Sequence, residues 1–200
     1  MEKAKIKKES PHKAEMALMR KKSAKSLLWI GIVSIIMLFS GLTSAYVVRA
    51  DNGNWLVFEL PSIAIISTAV IIASSFTMFL AQMAIKKDKQ KATSIYLLLT
   101  LLLGLAFTYT QYLGWKELTL QGIYFLGKYS NASGSFLYLI AVVHLLHLFG
   151  GLIALLITLF RSLKNRYSSQ DYLGIELSAI YWHFLDLLWI YLFLFLYFFR

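Results

Sequence analysis

The chain has 200 residues, of which 58% are hydrophobic and 15% charged, with a net charge of +10 and no cysteine. A soluble domain of this size carries far more polar surface, and a chain without thiols has no disulfide, iron–sulfur cluster or thiolate copper or zinc site. The positive charge would point to nucleic acid in a soluble protein; here the placement of the basic residues around long apolar runs gives a better account of it.

Residues 1–26 are lysine-rich and lack a long apolar run. Ser10-Pro11 interrupts any helix that starts there. Residues Lys13–Lys25 fit a short interfacial helix with Ala14, Ala17, Leu18 and Met19 inward, and the plainer reading is a solvated basic tail beside anionic lipid. Five apolar runs follow, at 27–48, 62–85, 92–115, 134–160 and 175–199. Each exceeds the roughly 20 residues that a spanning helix needs. The first is too long for a signal-peptide core, and Thr43-Ser44-Ala45 matches a cleavage site poorly. Backbone groups in lipid must bond within their own segment, so these runs are helices. The expected fold class is all-α: a basic cytoplasmic tail over 1–26 and a five-helix transmembrane domain over 27–199.

The connecting segments set the orientation. With the N-terminus inside, segments 1–26, 86–91 and 161–174 hold nine, four and three Lys/Arg residues, against four outside at Arg49, Lys116, Lys128 and Arg200. This positive-inside bias predicts a cytoplasmic N-terminus. The outer loops carry Asp51, Asn54, Glu59 and Glu117, and Trp55, Trp115, Tyr124 and Tyr129 stand at the predicted boundaries as interfacial aromatics do. Asn131-Ala132-Ser133 has the form of a glycosylation acceptor, a weak pattern.

Polar groups inside spanning helices are costly, so their positions carry information. His144 and His147, three apart, share a face of the fourth helix. Glu176, His183 and Asp186 fall within one arc of about 80° on the fifth. A carboxylate at mid-helix costs about 2.5–3.5 kcal/mol on the insertion scale, so Asp186 must face protein. His183 and the Trp182 indole N–H are its candidate local partners, while Glu176 lies near the inner end within reach of water. The short inner loop makes the last two helices antiparallel neighbours. Three readings of the histidines stand open: a haem or metal site, a proton-coupled transport pathway, and hydrogen bonding between helices. Two histidines on one helical face cannot supply opposite axial ligands of one haem, although His183 could oppose one of them. His144, His147 and Glu176 share features with a di-metal carboxylate bundle, but two Glu-x-x-His repeats are missing.

These residues also carry a family resemblance. Tyr181-Trp182-His183-Phe184-Leu185-Asp186-Leu187-Leu188-Trp189 resembles the Y-W-H-F-x-D-x-x-W segment in the last helix of cytochrome oxidase subunit III, and Gly174-Ile175-Glu176 precedes it at the family's spacing. His144-Leu145-Leu146-His147 with Gly150 or Gly151 resembles the family's F-H-G-L-H-x-x-x-G helix, with Val143 and Leu145 replacing Phe and Gly. Phe160-Arg161-Ser162-Leu163-Lys164 resembles the loop after it. The resemblance is specific over 134–199, looser over 92–115, where Gln111 fits, and faint over 27–85.

The resemblance implies the shorter, five-helix form typical of bacteria: a non-catalytic subunit of a proton-pumping haem-copper terminal oxidase in the plasma membrane. It would support subunit I, accompany subunit II, and bind phospholipid. Haem and copper would reside in the partner and no metal in this chain. Neither partner is this chain itself, since subunit I needs about six histidine ligands and subunit II a copper domain with cysteines. The implied polar framework is His144, His147, Glu176, His183 and Asp186, with Trp182 and Trp189 as packing anchors. Arg161 matches an arginine that binds a lipid phosphate in some relatives; its plainer reading is a topology charge. Gly114 and Ile35 stand where many members carry carboxylates, which puts functions tied to those positions in doubt. Related readings are subunit III of a quinol oxidase and the accessory protein of nitric oxide reductase. A small independent transporter and a haem-bearing membrane enzyme belong to other classes.

Overall fold

The computed structural model describes residues 11–50, 55, 61–127 and 130–199. Expectations for residues 1–10, Asp51, Asn54, Glu59, Lys128, Tyr129 and Arg200, and for the side chains of Ala14 and Ala17, lie outside the described residues. Five helices make up the fold: α1 Pro11–Ala50, α2 Ile63–Lys86, α3 Gln90–Leu120, α4 Ala132–Leu163 and α5 Leu173–Phe198. All five are long and apolar enough to span a membrane, and there is no strand among the described residues.

The first helix departs from the expectation. Its 40 residues run without a break from Pro11 through the first apolar run, in place of a tail or a separate interfacial helix. Pro11 opens the helix, where its missing N–H would have no partner anyway. Residues 18–30 contain no proline or glycine, so nothing divides the polar part from the span. At about 1.5 Å per residue the segment before Leu27 projects roughly 24 Å beyond the apolar part.

Helices α2, α3, α4 and α5 form a ring in which α2 packs on α3 and α5, and α4 on α3 and α5. The expected α4–α5 neighbour pair is therefore present. Helix α1 packs on the outside of α4 and α5, with no contact to α2 among the described residues. It docks through Ile32, Phe39 and Tyr46, spaced seven residues apart and all buried, while Leu27, Trp29, Ile30, Val33 and Met37 stay exposed. The turn between α2 and α3 is three residues long and is closed by Asp88 at φ 57°. Helix α3 ends where Gly122, at φ 78°, lets the Ile123 N–H return to the Leu118 carbonyl. That left-handed conformation suits glycine at a helix end.

Lipid tails are as apolar as leucine, so packing and interhelical hydrogen bonds hold such a bundle together. The main core, around Trp182, Ile71, Met78, Leu97, Phe107 and Leu148, lies inside the ring. A second cluster, with Phe39, Tyr46, Leu137, Ile140, Leu192 and Phe195, joins α1 to the N-terminal half of α4 and the C-terminal half of α5. The α2–α3 turn and the α4–α5 loop are also tied together. Gln90 donates to the Tyr167 carbonyl at 3.1 Å, and the Ser169 N–H donates to Asp88 Oδ1 at 3.1 Å.

Candidate functional site

The fifth helix meets α2 through three contacts between a ring nitrogen and a hydroxyl. The Trp182 indole N–H donates to Ser74 Oγ at 3.0 Å, and Ser74 Oγ in turn donates to the Thr100 carbonyl of α3 at 3.3 Å. One turn of α5 is thereby bonded through α2 to α3. His183 Nδ1 lies 2.7 Å from Ser75 Oγ. About two turns further along α5, the Trp189 indole donates to Thr68 Oγ1 at 3.2 Å. Buried polar groups need such partners, and a missing one costs about 1–3 kcal/mol.

Asp186 is 2% exposed. Neither of its oxygens closes a hydrogen bond among the described residues. The nearby Ser75 hydroxyl makes its short contact with His183. The local partners expected for Asp186 are thus engaged elsewhere: Trp182 with Ser74 and His183 with Ser75. Two hydroxyls on α2 draw both rings across the helix interface.

The other polar residues lie apart from this cluster. His144 is fully buried, without a partner at either ring nitrogen among the described residues. Its ring packs against Phe39, Phe107 and Trp189, with centroids at 6.4, 6.2 and 5.3 Å. His147 is half-buried and bonds through Nδ1 to its own helix at the Val143 carbonyl, 2.8 Å away. The His147 carbonyl accepts from the Tyr181 hydroxyl at 3.2 Å, which joins α4 to α5. Glu176, expected within reach of water, is partly exposed and pairs with Lys25 of α1 at 2.6 Å. Arg161 is exposed in the last turn of α4. Among the described residues no three His, Asp or Glu side chains converge to hold a metal ion.

Gly114 and Ile35, where the resemblance implies carboxylates in other members, lie in apolar surroundings. A Cβ on Gly114 would come within 3.2 Å of Ile63, so α2 and α3 approach closely there. Beside it lies a cavity of about 50 Å³ lined by Gln111, Gly114, Leu137, Ile140 and Trp189 among others. Ile35 packs against the second core cluster.

Comparison with known proteins decides the family. The sequence model described as cytochrome c oxidase subunit III matches residues 54–200. A probable cytochrome c oxidase subunit 3 of Nocardia farcinica is 34% identical over 183 residues, covering 89% of this chain and 88% of that protein. The chain belongs to the cytochrome c oxidase subunit III family. Cytochrome c oxidase subunit 3 of Thermostichus vulcanus is 31% identical over 176 residues, 85% of this chain and 84% of its own. The Salmo salar protein of the same name is 33% identical over 143 residues, 70% of this chain and 50% of its own. The family match takes in the whole α2–α5 ring and leaves α1 outside it. This subunit III is accordingly a multi-pass membrane protein of an oxidase complex.

Reading the sequence alone missed the α2 side of the cluster. Thr68, Ser74 and Ser75 are unremarkable small polar residues until α2 is known to lie beside α5. Their spacing is the one available signal: Thr68 and Ser75 stand seven apart, on a single helical face. Lys21 and Lys25, counted only as topology charges, reach Asp171 at 3.3 Å and Glu176 at 2.6 Å.

Proposed function

We propose that this chain is the non-catalytic subunit III of a proton-pumping cytochrome c oxidase in a bacterial plasma membrane, with its N-terminus in the cytoplasm. It packs beside subunit I, accompanies subunit II and stabilises the catalytic subunit. Haem and copper belong to the partners. Phospholipid binds between helices, with the Arg161 guanidinium at the inner rim available to a lipid phosphate.

The observation that carries this reading is the use to which the polar residues of α5 are put. Trp182, His183 and Trp189 each bond a hydroxyl of α2, which locks the two helices at two levels about two turns apart. Residues spent in this way shape a rigid bundle surface for a neighbour.

The test is capture of the tagged chain in mild detergent, followed by a reduced-minus-oxidised spectrum and mass spectrometry of what accompanies it. The expected outcome is a haem spectrum that arrives with a large multi-helix partner and departs when that partner is stripped away. His183→Leu and Asp186→Leu should each lower retention of this chain without removing haem from the partner. A colourless lone chain from fully solubilised membranes would overturn the assembly reading, and haem remaining on the isolated chain would return His144, His147 and His183 to ligand candidacy.

A further inference from the structure

Helix α1 has a seven-residue repeat on two opposite faces. Lys25, Ile32, Phe39 and Tyr46 face the bundle: Lys25 pairs with Glu176, and the other three are buried. Ser23, Ile30, Met37 and Ser44 each stand two residues earlier, about 200° round the helix, and all are exposed. Helix α1 packs only on α4 and α5 among the described residues, so this second face has no helix of its own chain against it.

The second face has the spacing of a coiled-coil seam. Exposed residues follow one another at alternating intervals of three and four. Met16, Met19, Ser23 and Ser26 take these places in the projecting part, and Ile30, Val33, Met37, Ser40 and Ser44 take them in the span. The line runs for about four heptads. It carries no charge, although Arg20, Lys21, Lys22 and Lys25 crowd its first half. A helix end bathed only in water has no reason to keep one stripe clear of charge, yet Met16 and Met19 are 55% and 60% exposed there.

Within the span the seam is small and polar. Ser34 returns its hydroxyl to the Ile30 carbonyl at 3.0 Å, whereas the Ser40 and Ser44 hydroxyls close no hydrogen bond among the described residues. Lipid tails offer a hydroxyl nothing, and a neighbouring helix does. Gly41 lies beside them, and a Cβ there would meet nothing within 4 Å. Glycine weakens a helix interior, and no contact inside this chain makes use of it. Small residues on a spanning helix let a second backbone come close.

Glu15 and Arg20 identify the occupant. With Met16 and Met19 as the two seam positions of one heptad, Glu15 flanks the first and Arg20 flanks the second. Both are exposed, and neither makes an ion pair among the described residues. Two copies inserted the same way into one membrane bring their α1 helices together in parallel. In a parallel pair these flanking places face each other five residues apart, so Glu15 of each copy meets Arg20 of the other. The two contacts are equivalent, as a two-fold interface requires.

We propose that α1 is a dimerisation helix: a second copy of this chain docks on the Met16–Ser44 seam as a parallel coiled coil, with reciprocal Glu15–Arg20 pairs in the projecting part and close approach at Ser40, Gly41 and Ser44. The pairing uses this chain's own residues and stands apart from the identity of its other partners.

The chain has no cysteine, so single cysteines in the full chain report the contact by disulfide formation in native membranes. Met37→Cys lies on the seam. Ile36→Cys and Leu38→Cys lie to either side of it and are also exposed. Mild oxidation is expected to join two copies through position 37 about tenfold faster than through 36 or 38, because only the seam holds the two thiols together. Ser23→Cys should likewise join two copies in the projecting part. Adding Glu15→Arg should slow that step by about fivefold, and adding Arg20→Glu as well should restore it. Rates are taken per copy present in the membrane, and Ser44→Cys replaces a seam variant that fails to insert. Equal rates at 36, 37 and 38, a product that joins Met37→Cys only to a different chain, or a Ser23→Cys rate unmoved by Glu15→Arg would each overturn the pairing. Dimers of a chain that brings no haem partner would leave the pairing standing while the assembly reading falls, and a haem partner retained without dimers would do the reverse.

Discussion

The Trp182 indole occupies the place that a side chain at Gly104 would need: a Cβ there would lie 2.7 Å from the ring. The same ring borders Gly151, where a Cβ would lie 3.3 Å away. One large side chain on α5 thus packs between glycines of α3 and α4 while its N–H is fixed by Ser74 of α2, so all four ring helices meet at one residue. Gly104→Ala is therefore expected to destabilise the bundle by about 1–3 kcal/mol through overpacking. The check is a double-mutant cycle on thermal unfolding in detergent. Trp182→Phe alone leaves a void and lowers the midpoint, but combined with Gly104→Ala it should lower it by less than the two single changes added together. Strict additivity would mean that the ring and the glycine do not constrain each other.

Hydropathy made the five helices legible, because run length against bilayer thickness is a local property of the chain. The α4–α5 pairing was legible for a similar reason, since nine residues between helices leave few places to go. The partners of Trp182 and His183 were not. Both bond hydroxyls 108 residues away, and no loop length shows that α2 lies against α5. Local reasoning pointed to Asp186 because three or four residues along a helix bring side chains onto one face. A hydroxyl directly across the interface competes better, since it can meet the ring nitrogen head-on. Helix α1 misled for a different reason. A proline reads as an interruption, yet at the first position of a helix it is a start.

Asn131 caps α4 by accepting from the Ser133 N–H at 3.1 Å and from its hydroxyl at 3.2 Å. The Asn-Ala-Ser tripeptide that has the form of a glycosylation acceptor is thus also a helix start, with serine buried beneath it. Asn131→Ala should lower stability by about 0.5–2 kcal/mol, whereas Asn131→Asp, which keeps the accepting oxygen, should stay near the wild type. Thermal midpoints of the two variants, compared side by side, separate a cap from a surface residue: equal midpoints would remove the capping role.

Thr158 and Ser178 join α4 to α5 at 2.7 Å inside the bundle, and Thr158 also donates to the Ala154 carbonyl at 2.8 Å. Thr158 has one proton and spends it on its own helix, so Ser178 is the donor in the pair. Removing the serine leaves Thr158 bonded, while Thr158→Val strands the serine hydroxyl in an apolar setting. Thr158→Val should therefore cost more than Ser178→Ala, by roughly 1 kcal/mol. The double change should recover part of that loss. Equal penalties for the two single variants would show that the hydroxyls find other partners.

Lys25 and Glu176 tie the N-terminal part of α1 to the first turn of α5 at 2.6 Å, with Lys21 and Asp171 adding a second pair at 3.3 Å. The carboxylate also sits in the first turn of its helix, where negative charge is favoured. Ion pairs that solvent reaches contribute only about 0–1 kcal/mol and weaken with salt, so global unfolding is a poor readout. Local order is a better one, because the projecting segment of α1 has few other attachments. Lys25→Glu should raise amide hydrogen exchange across residues 18–26 while leaving α3 unchanged. Restoring opposite charges with Lys25→Glu and Glu176→Lys together should bring protection most of the way back, short of the wild type because a lysine then faces the positive end of α5. Faster exchange in the double variant than in Lys25→Glu alone would mean that the segment is held by its backbone or by lipid and not by this pair.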